Sequence, residues 1–216
     1  MTCYVGPVAA LQSSLFDTAS VPSLGRLGAG LTRTQLDDRS WVEHQLGWVQ
    51  GSDALFDTLA DDAPWRAERR QMYDRVVDVP RLVCWYDATA ALPHDVLVQA
   101  RIRLSAYYRN ELSEGFATAG LCLYRDGSDS VAWHGDTIGR GRTEDTLVAI
   151  ISLGAPRALL LRPRGGGAAS RRFVLGHGDL LVMGGACQRA WEHAVPKTTR
   201  PCGPRISVQF RPPGVR

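Results

Sequence analysis

Apolar positions in the first half of the chain recur at helical spacing in two segments. Ser52 caps a short predicted helix that Pro64 limits, and a second predicted helix runs from Pro93 to about Tyr108. Apolar residues three and four positions apart lie on one face of a helix. These residues are Leu55, Phe56 and Leu59 in the first segment, and Leu97, Ala100 and Leu104 in the second, with Tyr107 or Tyr108 extending the face.

The pattern changes from Gly120 onward, where short apolar runs are broken by glycine. The runs are LCLY, TLVAIISL, ALLLR, RRFVL, DLLVM and RISVQF. Runs of this length between turn residues are typical of strands in a sandwich or barrel. Helices followed by strands predict an α+β, mainly β domain, in which a jelly-roll sheet pair carries the N-terminal helices on one sheet.

The order of segments also predicts the domain organisation. Residues 1–30 are rich in Gly, Ser and Ala and lack sustained periodicity, so we expect a flexible N-terminal arm. Residues 31–216 are predicted to form a single domain. With 216 residues and 44% hydrophobic composition, the chain can bury a substantial core.

Composition adds few constraints on function. The formal net charge is only +3, and the five cysteines form no CxxC pair, which favours reduced thiols. No basic segment precedes the first apolar residues, and no apolar stretch approaches the length of a membrane span. We therefore expect a cytoplasmic protein without membrane contact.

A candidate metal site comes from His134-Gly-Asp136 together with His193. Residues i and i+2 of a strand point to the same side, so His134 and Asp136 can share a metal if Val131–His134 is a strand. Two imidazoles and one carboxylate form the facial set that binds non-haem iron. Taken alone, His193 is better explained as a half-buried histidine that is satisfied by a backbone carbonyl, and the arginine-bearing strand that follows it favours the metal site.

The same tripeptide occurs a second time, as His177-Gly-Asp179. Its flanking glycines are typical of a tight turn that leads into a strand beginning at Asp179. We therefore predict that His134 is the ligand and that His177 is a turn residue.

The run Arg205-Ile-Ser-Val-Gln-Phe-Arg211 suggests an anion site. Alternation along a strand places Arg205, Ser207, Gln209 and Arg211 on one face. Buried arginines are disfavoured unless they meet anions, and a bound dicarboxylate would satisfy both. The alternative is an edge strand on which both arginines are solvated.

Several motifs together resemble one family. They are Pro80-Arg81 with Trp85-Tyr86 downstream, Leu123-Tyr124-Arg-Asp-Gly, His134-Gly-Asp136, His193 after Gly-Asp-Leu-Leu-Val-Met, and the closing Arg-x-x-x-x-Phe-Arg. Between about Trp41 and Arg211 the sequence resembles the AlkB family of Fe(II)- and 2-oxoglutarate-dependent dioxygenases. The resemblance implies a double-stranded β-helix, and it implies that His134, Asp136 and His193 hold Fe(II).

The resemblance also implies a cosubstrate site for 2-oxoglutarate, with O2 as the oxidant. In it, Arg205 pairs with the distal carboxylate, Arg211 lies near the C1 carboxylate, and Tyr124 donates a hydrogen bond. The chain departs from the family at Cys122 and Ser207, where family members usually carry asparagines that help to hold 2-oxoglutarate. Serine can still form hydrogen bonds, whereas cysteine is a poor donor and acceptor.

The implied function is oxidative repair of N-alkylated bases in DNA. The alkyl group would be hydroxylated by iron-oxo chemistry and released as an aldehyde, while 2-oxoglutarate becomes succinate and CO2. Two alternatives stay open. The same iron chemistry could act on RNA, protein or a small molecule, and a chain with a weakened cosubstrate site could be a catalytically weak nucleic-acid binding protein.

Substrate contacts are expected in the region where the family has its nucleotide-recognition lid and in basic loops. The candidate residues are Tyr73, Arg81, Trp85, Tyr86 and Arg162. Aromatic faces can stack on a flipped base and cations can meet phosphates. Core packing is the competing explanation for the aromatic residues, above all for Trp85, and solvation is the competing explanation for the basic loops.

The arm contains a short motif that suggests a protein partner. Gln12-Ser-Ser-Leu15-Phe16 resembles the Q-x-x-L-F peptide by which bacterial repair and replication proteins dock on the sliding clamp. An apolar pocket could accept Leu15 and Phe16 while the amide of Gln12 fixes the orientation. Matches of five residues also arise by chance.

Overall fold

A computed structural model describes residues 21–72, 75–137 and 139–215, without the side chains of residues 70–78 and 140. Within these residues the helices are α1 (Ser52–Asp62), α2 (Asp95–Tyr107) and α3 (Cys187–Ala190), with a 3-10 turn at Arg140–Arg142. The strands are β1 (Ser23–Leu24), β2 (Thr32–Gln35), β3 (Ser40–Gln45), β4 (Val49–Gln50), β5 (Arg66–Met72), β6 (Arg75–Tyr86), β7 (Thr118–Tyr124), β8 (Val131–His134), β9 (Val148–Gly154), β10 (Arg157–Pro163), β11 (Arg171–Leu175), β12 (Asp179–Gly185), β13 (Trp191–Val195) and β14 (Arg205–Arg211).

Two antiparallel sheets form the body of the domain. The larger has the strand order β2-β3-β12-β9-β14-β7-β6-β5, and the smaller has the order β11-β10-β13-β8. Strand β12 shows how alternation builds the layers. Leu180 and Val182 pack in the apolar cluster that includes α1 and α2, whereas Leu181 and Met183 pack in the cluster between the sheets. The predicted mainly β sheet pair, with helices on one sheet, is confirmed.

Both predicted helices are present, with one correction at a cap. Ser52 is the first residue of α1 and not its cap. Gly51 occupies the N-cap position at a φ of 62°, so no side chain caps this helix. In α2, Nδ1 of His94 accepts a hydrogen bond from the amide of Val96. The predicted apolar face of α2 is buried, and Tyr108 extends it, while Tyr107 is 45% exposed.

Every strand predicted after Gly120 is present, but the strands before it were not predicted. β2, β3, β5 and β6 supply half of the larger sheet.

Residues 21–30, which the sequence assigns to the arm, contact the domain, because β1 pairs with β4 and the amide of Gly25 donates to the carbonyl of Trp48 at 2.8 Å. Residues 1–20, with the clamp-like motif, lie outside the described residues.

Two further expectations concern cysteines and membranes. Cys84, Cys122, Cys187 and Cys202 are free cysteines, and the reduced state stays a prediction. None of the helices in the described ranges combines the length and apolarity that a membrane span requires.

Candidate active site

The three predicted metal ligands lie together at one end of the smaller sheet. β8 ends at His134, which stands opposite His193 in the antiparallel register of β13, and Asp136 follows two residues later. The two imidazole centroids are 4.2 Å apart, and Nε2 of His134 is 4.0 Å from Oδ1 of Asp136. All three ligand atoms lie within 4.8 Å of one another, so they can hold one metal ion.

Neighbouring groups orient these ligands. Oδ2 of Asp136 accepts from Nε of Arg211 at 2.6 Å, and the amide of Asp136 donates to Oε1 of Gln188 at 3.0 Å. Nδ1 of His134 lies 2.8 Å from the carbonyl of Ala132, which can only accept, so that nitrogen carries the proton. Nε2 of His134 and Oδ1 of Asp136 are therefore left for a metal.

The electrostatics of the site favour metal-binding protonation states. Burial lowers the pKa of His134 and lowers that of His193 to about 3, so both imidazoles are neutral near pH 7. Burial would raise the pKa of Asp136, but Arg211 and the two histidines outweigh it and lower that pKa to about 2. A metal can therefore bind without first removing a proton from a ligand.

Gly135, between the two ligands, is required by close packing. A Cβ atom there would lie 2.3 Å from the carbonyl oxygen of Gln188 and 2.6 Å from Nη2 of Arg164. Since one of these atoms is backbone, a larger residue would displace the loop that holds His134 and Asp136.

The second His-Gly-Asp has a different role. Nδ1 of His177 accepts from the amide of Gly154 at 2.6 Å, and its Nε2 lies 2.9 Å from Oδ1 of Asp53 at the start of α1. Asp179 accepts hydrogen bonds from the amides of Gly47 and Gly176. These residues anchor a turn, and among the described residues the cluster able to hold a metal is the one at His134.

A cavity of about 760 Å³ extends from the metal ligands between the two sheets. The other predicted cosubstrate residues line it, namely Cys122, Tyr124, Arg205, Ser207 and Arg211. Its walls also include Arg66, Glu68, Arg81 and Trp85. The metal ligands and the predicted anion-binding face of β14 therefore share one space.

Arg205 is the strongest indication of an anionic ligand. It is only 2% exposed, its Nε donates to Oγ of Ser152 at 2.9 Å, and its guanidinium carbon lies 5.3 Å from the Tyr124 ring centroid. Its Nη1 is buried without a hydrogen-bond partner among the described residues. A buried charged donor without a partner fits the carboxylate of a bound cosubstrate.

Two polar residues of the site were not predicted from the sequence, and a third, Gln209, was placed on the anion-binding face without a role of its own. Gln188 holds Asp136, Ser152 holds Arg205, and Gln209 lies against Arg211. Strand alternation already placed Gln209 on the anion-binding face, which was the available signal. Ser152 and Gln188 depend on pairings between distant segments, for which the local sequence carries no signal.

The predicted substrate residues that the structure describes lie partly in the cavity wall and partly away from it. Trp85 and Arg81 line the cavity. Trp85 is 40% exposed, so the competing explanation that it packs in the core is wrong. Tyr86, the next residue of β6, faces the other side and is buried in the helix-side core. Arg162 lies outside the cavity lining, 4.3 Å from the Trp133 ring centroid and paired with Glu192. Tyr73 lies outside the described residues.

Comparison with known proteins gives the family. Residues 41–211 match the model of the 2OG-Fe(II) oxygenase superfamily. Alpha-ketoglutarate-dependent dioxygenase alkB homolog 3 of Bos taurus is 32% identical over 187 residues, covering 76% of this chain and 62% of that protein. DNA oxidative demethylase ALKBH2 of Arabidopsis thaliana is 30% identical over 200 residues, covering 75% and 62%. The chain thus spans less than two thirds of the length of these relatives.

Solved structures show the same fold. The structure of OsALKBH1 superposes with a TM-score of 0.56 at 13% identity, covering 82% of this chain and all of that one. A prolyl-4-hydroxylase of Pseudomonas putida gives 0.52 at 18% identity, covering 80% and 93%. The family match spans residues 41–211, which include all three ligands. The chain belongs to the AlkB family of the 2OG-Fe(II) oxygenase superfamily, whose members use Fe(II), 2-oxoglutarate and O2.

Proposed function

We propose that this chain is an oxidative demethylase that removes alkyl groups from bases of DNA. The observation that carries the proposal is the buried Nη1 of Arg205, which has no hydrogen-bond partner within the described part of the chain and lies in the cavity that also holds His134, Asp136 and His193. A metal-ligand set and an unsatisfied cation in one enclosed space fit Fe(II) and a dicarboxylate cosubstrate. When bound, Fe(II) would supply the oxidation of a C–H bond, with 2-oxoglutarate and O2 giving succinate and CO2.

The residues of β14 and β7 would position the cosubstrate. Arg205 would pair with its distal carboxylate, and Arg211 would lie near the carboxylate at the other end. Burial, with a contribution from Cys122, raises the pKa of Tyr124 to about 12 despite the opposing effect of nearby arginines. The phenol therefore stays protonated near pH 7 and can donate a hydrogen bond.

The outer part of the cavity would receive the base. A base must leave the stack to reach a buried centre, and aromatic faces stabilise extruded bases. Trp85 offers such a face, with the Arg211 guanidinium carbon 5.8 Å from its ring centroid. Exposed cations outside the cavity, such as Arg171, Arg172 and Lys197, could contact phosphates.

The substrate assignment is tested by formaldehyde release. N1-methyladenine or N3-methylcytosine would be supplied in DNA and in RNA of the same sequence, with Fe(II), 2-oxoglutarate and O2. We expect formaldehyde and succinate in equal amounts with the DNA. Release confined to RNA, or succinate without formaldehyde from either polymer, would move the activity to another substrate. Tight DNA binding without succinate would make the chain a binding protein.

We also propose that the chain docks on a sliding clamp through Gln12, Leu15 and Phe16. The support is the Q-x-x-L-F pattern ahead of the first described residue. Leu15→Ala with Phe16→Ala should abolish binding to immobilised clamp, whereas Ser13→Ala with Ser14→Ala should preserve it. Equal clamp affinity of the first variant and the unaltered chain would refute the proposal.

A further inference from the structure

Gln209 occupies the centre of the anion-binding face of β14. It lies between Ser207 and Arg211 at alternating positions, is half-buried and lines the cavity. By the resemblance described above, Cys122 and Ser207 stand where family members usually carry the asparagines that hold 2-oxoglutarate. Among the described residues that line the cavity, Gln209 is the one carboxamide.

Three hydrogen bonds fix the orientation of the Gln209 amide. Its Oε1 accepts from Nη2 of Arg211 at 3.0 Å, and a guanidinium has only donors, so the oxygen must face Arg211. Its Nε2 donates to Oγ of Ser207 at 3.1 Å and to Sγ of Cys122 at 3.4 Å. The amide thus joins both altered positions to an arginine of the cosubstrate site.

These contacts have a consequence for each neighbour. Arg211 uses Nε to hold Asp136, and the contact with Gln209 fixes the rest of its guanidinium plane. A serine hydroxyl has one proton, and because Oγ of Ser207 accepts from Gln209, that proton is free to point into the cavity. Gln209 therefore makes Ser207 a donor toward an anion.

We infer that Gln209 is a positioning residue for 2-oxoglutarate, acting through Ser207 and Arg211 in place of the two absent asparagines. The inference rests on the proposed cosubstrate site. The Gln209 amide orients a charged donor, Arg211, and a neutral donor, Ser207. It would thereby replace the two asparagine amides that contact 2-oxoglutarate directly. The chain would then bind 2-oxoglutarate with a different set of residues from its relatives while keeping the same ends of the molecule fixed.

Binding of 2-oxoglutarate to the full chain loaded with Mn(II), measured by calorimetry without O2, tests this role apart from turnover. Gln209→Leu keeps the approximate size but removes the amide. We expect about a tenfold weaker affinity, because the net loss is that of a hydrogen bond to charged groups. In Fe(II) turnover, KM for 2-oxoglutarate should rise while kcat stays within about twofold. Gln50→Leu, at an exposed glutamine of β4, is the matched control.

A second variant separates positioning from support of the fold. Ser207→Asn in the Gln209→Leu background restores a family amide, and we expect it to recover most of the lost affinity. Affinity of Gln209→Leu within twofold of the unaltered chain, or no recovery with Ser207→Asn, would overturn the inference. Absence of 2-oxoglutarate binding by the unaltered chain would instead refute the proposed function on which it rests.

Discussion

At the scale of single residues, Arg205 shows how a buried charged side chain with an unfilled hydrogen bond can indicate a ligand site. Its guanidinium is buried, and one nitrogen has no partner among residues 21–72, 75–137 and 139–215, which is unfavourable in the absence of an anion. Burial also lowers the pKa of Arg205, although Tyr124 and Cys122 oppose this effect. This buried charge therefore disfavours the unliganded domain, and a bound anion would relieve that cost.

Replacement of Arg205 by methionine should consequently separate stability from binding. We expect Arg205→Met to have a Tm at or above that of the unaltered chain without ligand, because an incompletely paired buried charge is replaced by apolar volume. The unaltered chain should gain about 2.7 kcal/mol of stability at 2-oxoglutarate a hundredfold above its Kd, and the variant should gain none. Thermal unfolding with and without 2-oxoglutarate, in the presence of Mn(II), measures both. A variant that melts lower yet still responds to 2-oxoglutarate would contradict this role.

Gly135 permits a prediction about the metal loop. Gly135→Ala places a methyl group 2.3 Å from a backbone oxygen, so the loop must move and the spacing of His134 and Asp136 must change. We expect Mn(II) affinity to fall by tenfold or more, on the order of 1.4 kcal/mol, as measured by calorimetry. Gly176→Ala, where the nearest atom to the added Cβ is a side-chain oxygen of Asp179 at the ordinary contact distance of 3.4 Å, is the comparison for a glycine with room for a methyl group. Equal losses in both variants would argue against a steric cause.

At the scale of elements, the two His-Gly-Asp tripeptides show how context assigns different roles to one motif. The copy at His134 ends β8 beside β13, so its side chains meet a second histidine. The copy at His177 forms the turn before β12 and connects Gly154 of β9 with Asp53 of α1. The first therefore belongs to a cluster that can hold a metal ion, and the second holds a helix against the sheet.

His177→Ala should therefore affect stability and leave metal binding unchanged. Loss of the acceptor for Gly154 and of the contact with Asp53 should lower the free energy of unfolding by about 1–2 kcal/mol. Urea unfolding measures this change, and Mn(II) calorimetry should give an affinity within twofold of the unaltered chain. His134→Ala should show the opposite pattern, with metal binding lost. Loss of Mn(II) binding in His177→Ala would reverse the assignment.

The local pattern of apolar and polar residues was sufficient to predict some helices and strands and insufficient for others. The apolar repeat of α2 and the alternation of β14 follow directly from residue spacing. β5 was not predicted because its sequence, RAERRQM, has no apolar alternation. The roles of Ser152 and Gln188 could not be predicted because contacts between distant segments set them, through strand pairing for Ser152 and through a residue of α3 for Gln188. Trp85 and Tyr86 were both predicted as substrate contacts, but alternation in β6 leaves Trp85 in the cavity wall and buries Tyr86 in the helix-side core.

At the scale of the whole molecule, the two-sheet architecture explains why the site lies where it does. The helix-side cluster fills one face of the larger sheet, so its other face is available for a second layer. β14 pairs with β9 and β7 in that sheet, and this position directs Arg205 and Arg211 toward the smaller sheet that carries His134 and His193. Metal ligands from one sheet and an anion site from the other therefore enclose a common cavity.

The central claim is that this cavity performs iron-dependent dealkylation of DNA. The most direct measurement is formaldehyde release from a DNA oligonucleotide containing N1-methyladenine, with Fe(II) and 2-oxoglutarate, for the unaltered chain, His134→Ala and His177→Ala. We predict that His134→Ala abolishes release and that His177→Ala retains most of it. Release that persists in His134→Ala and is lost in His177→Ala would contradict the account.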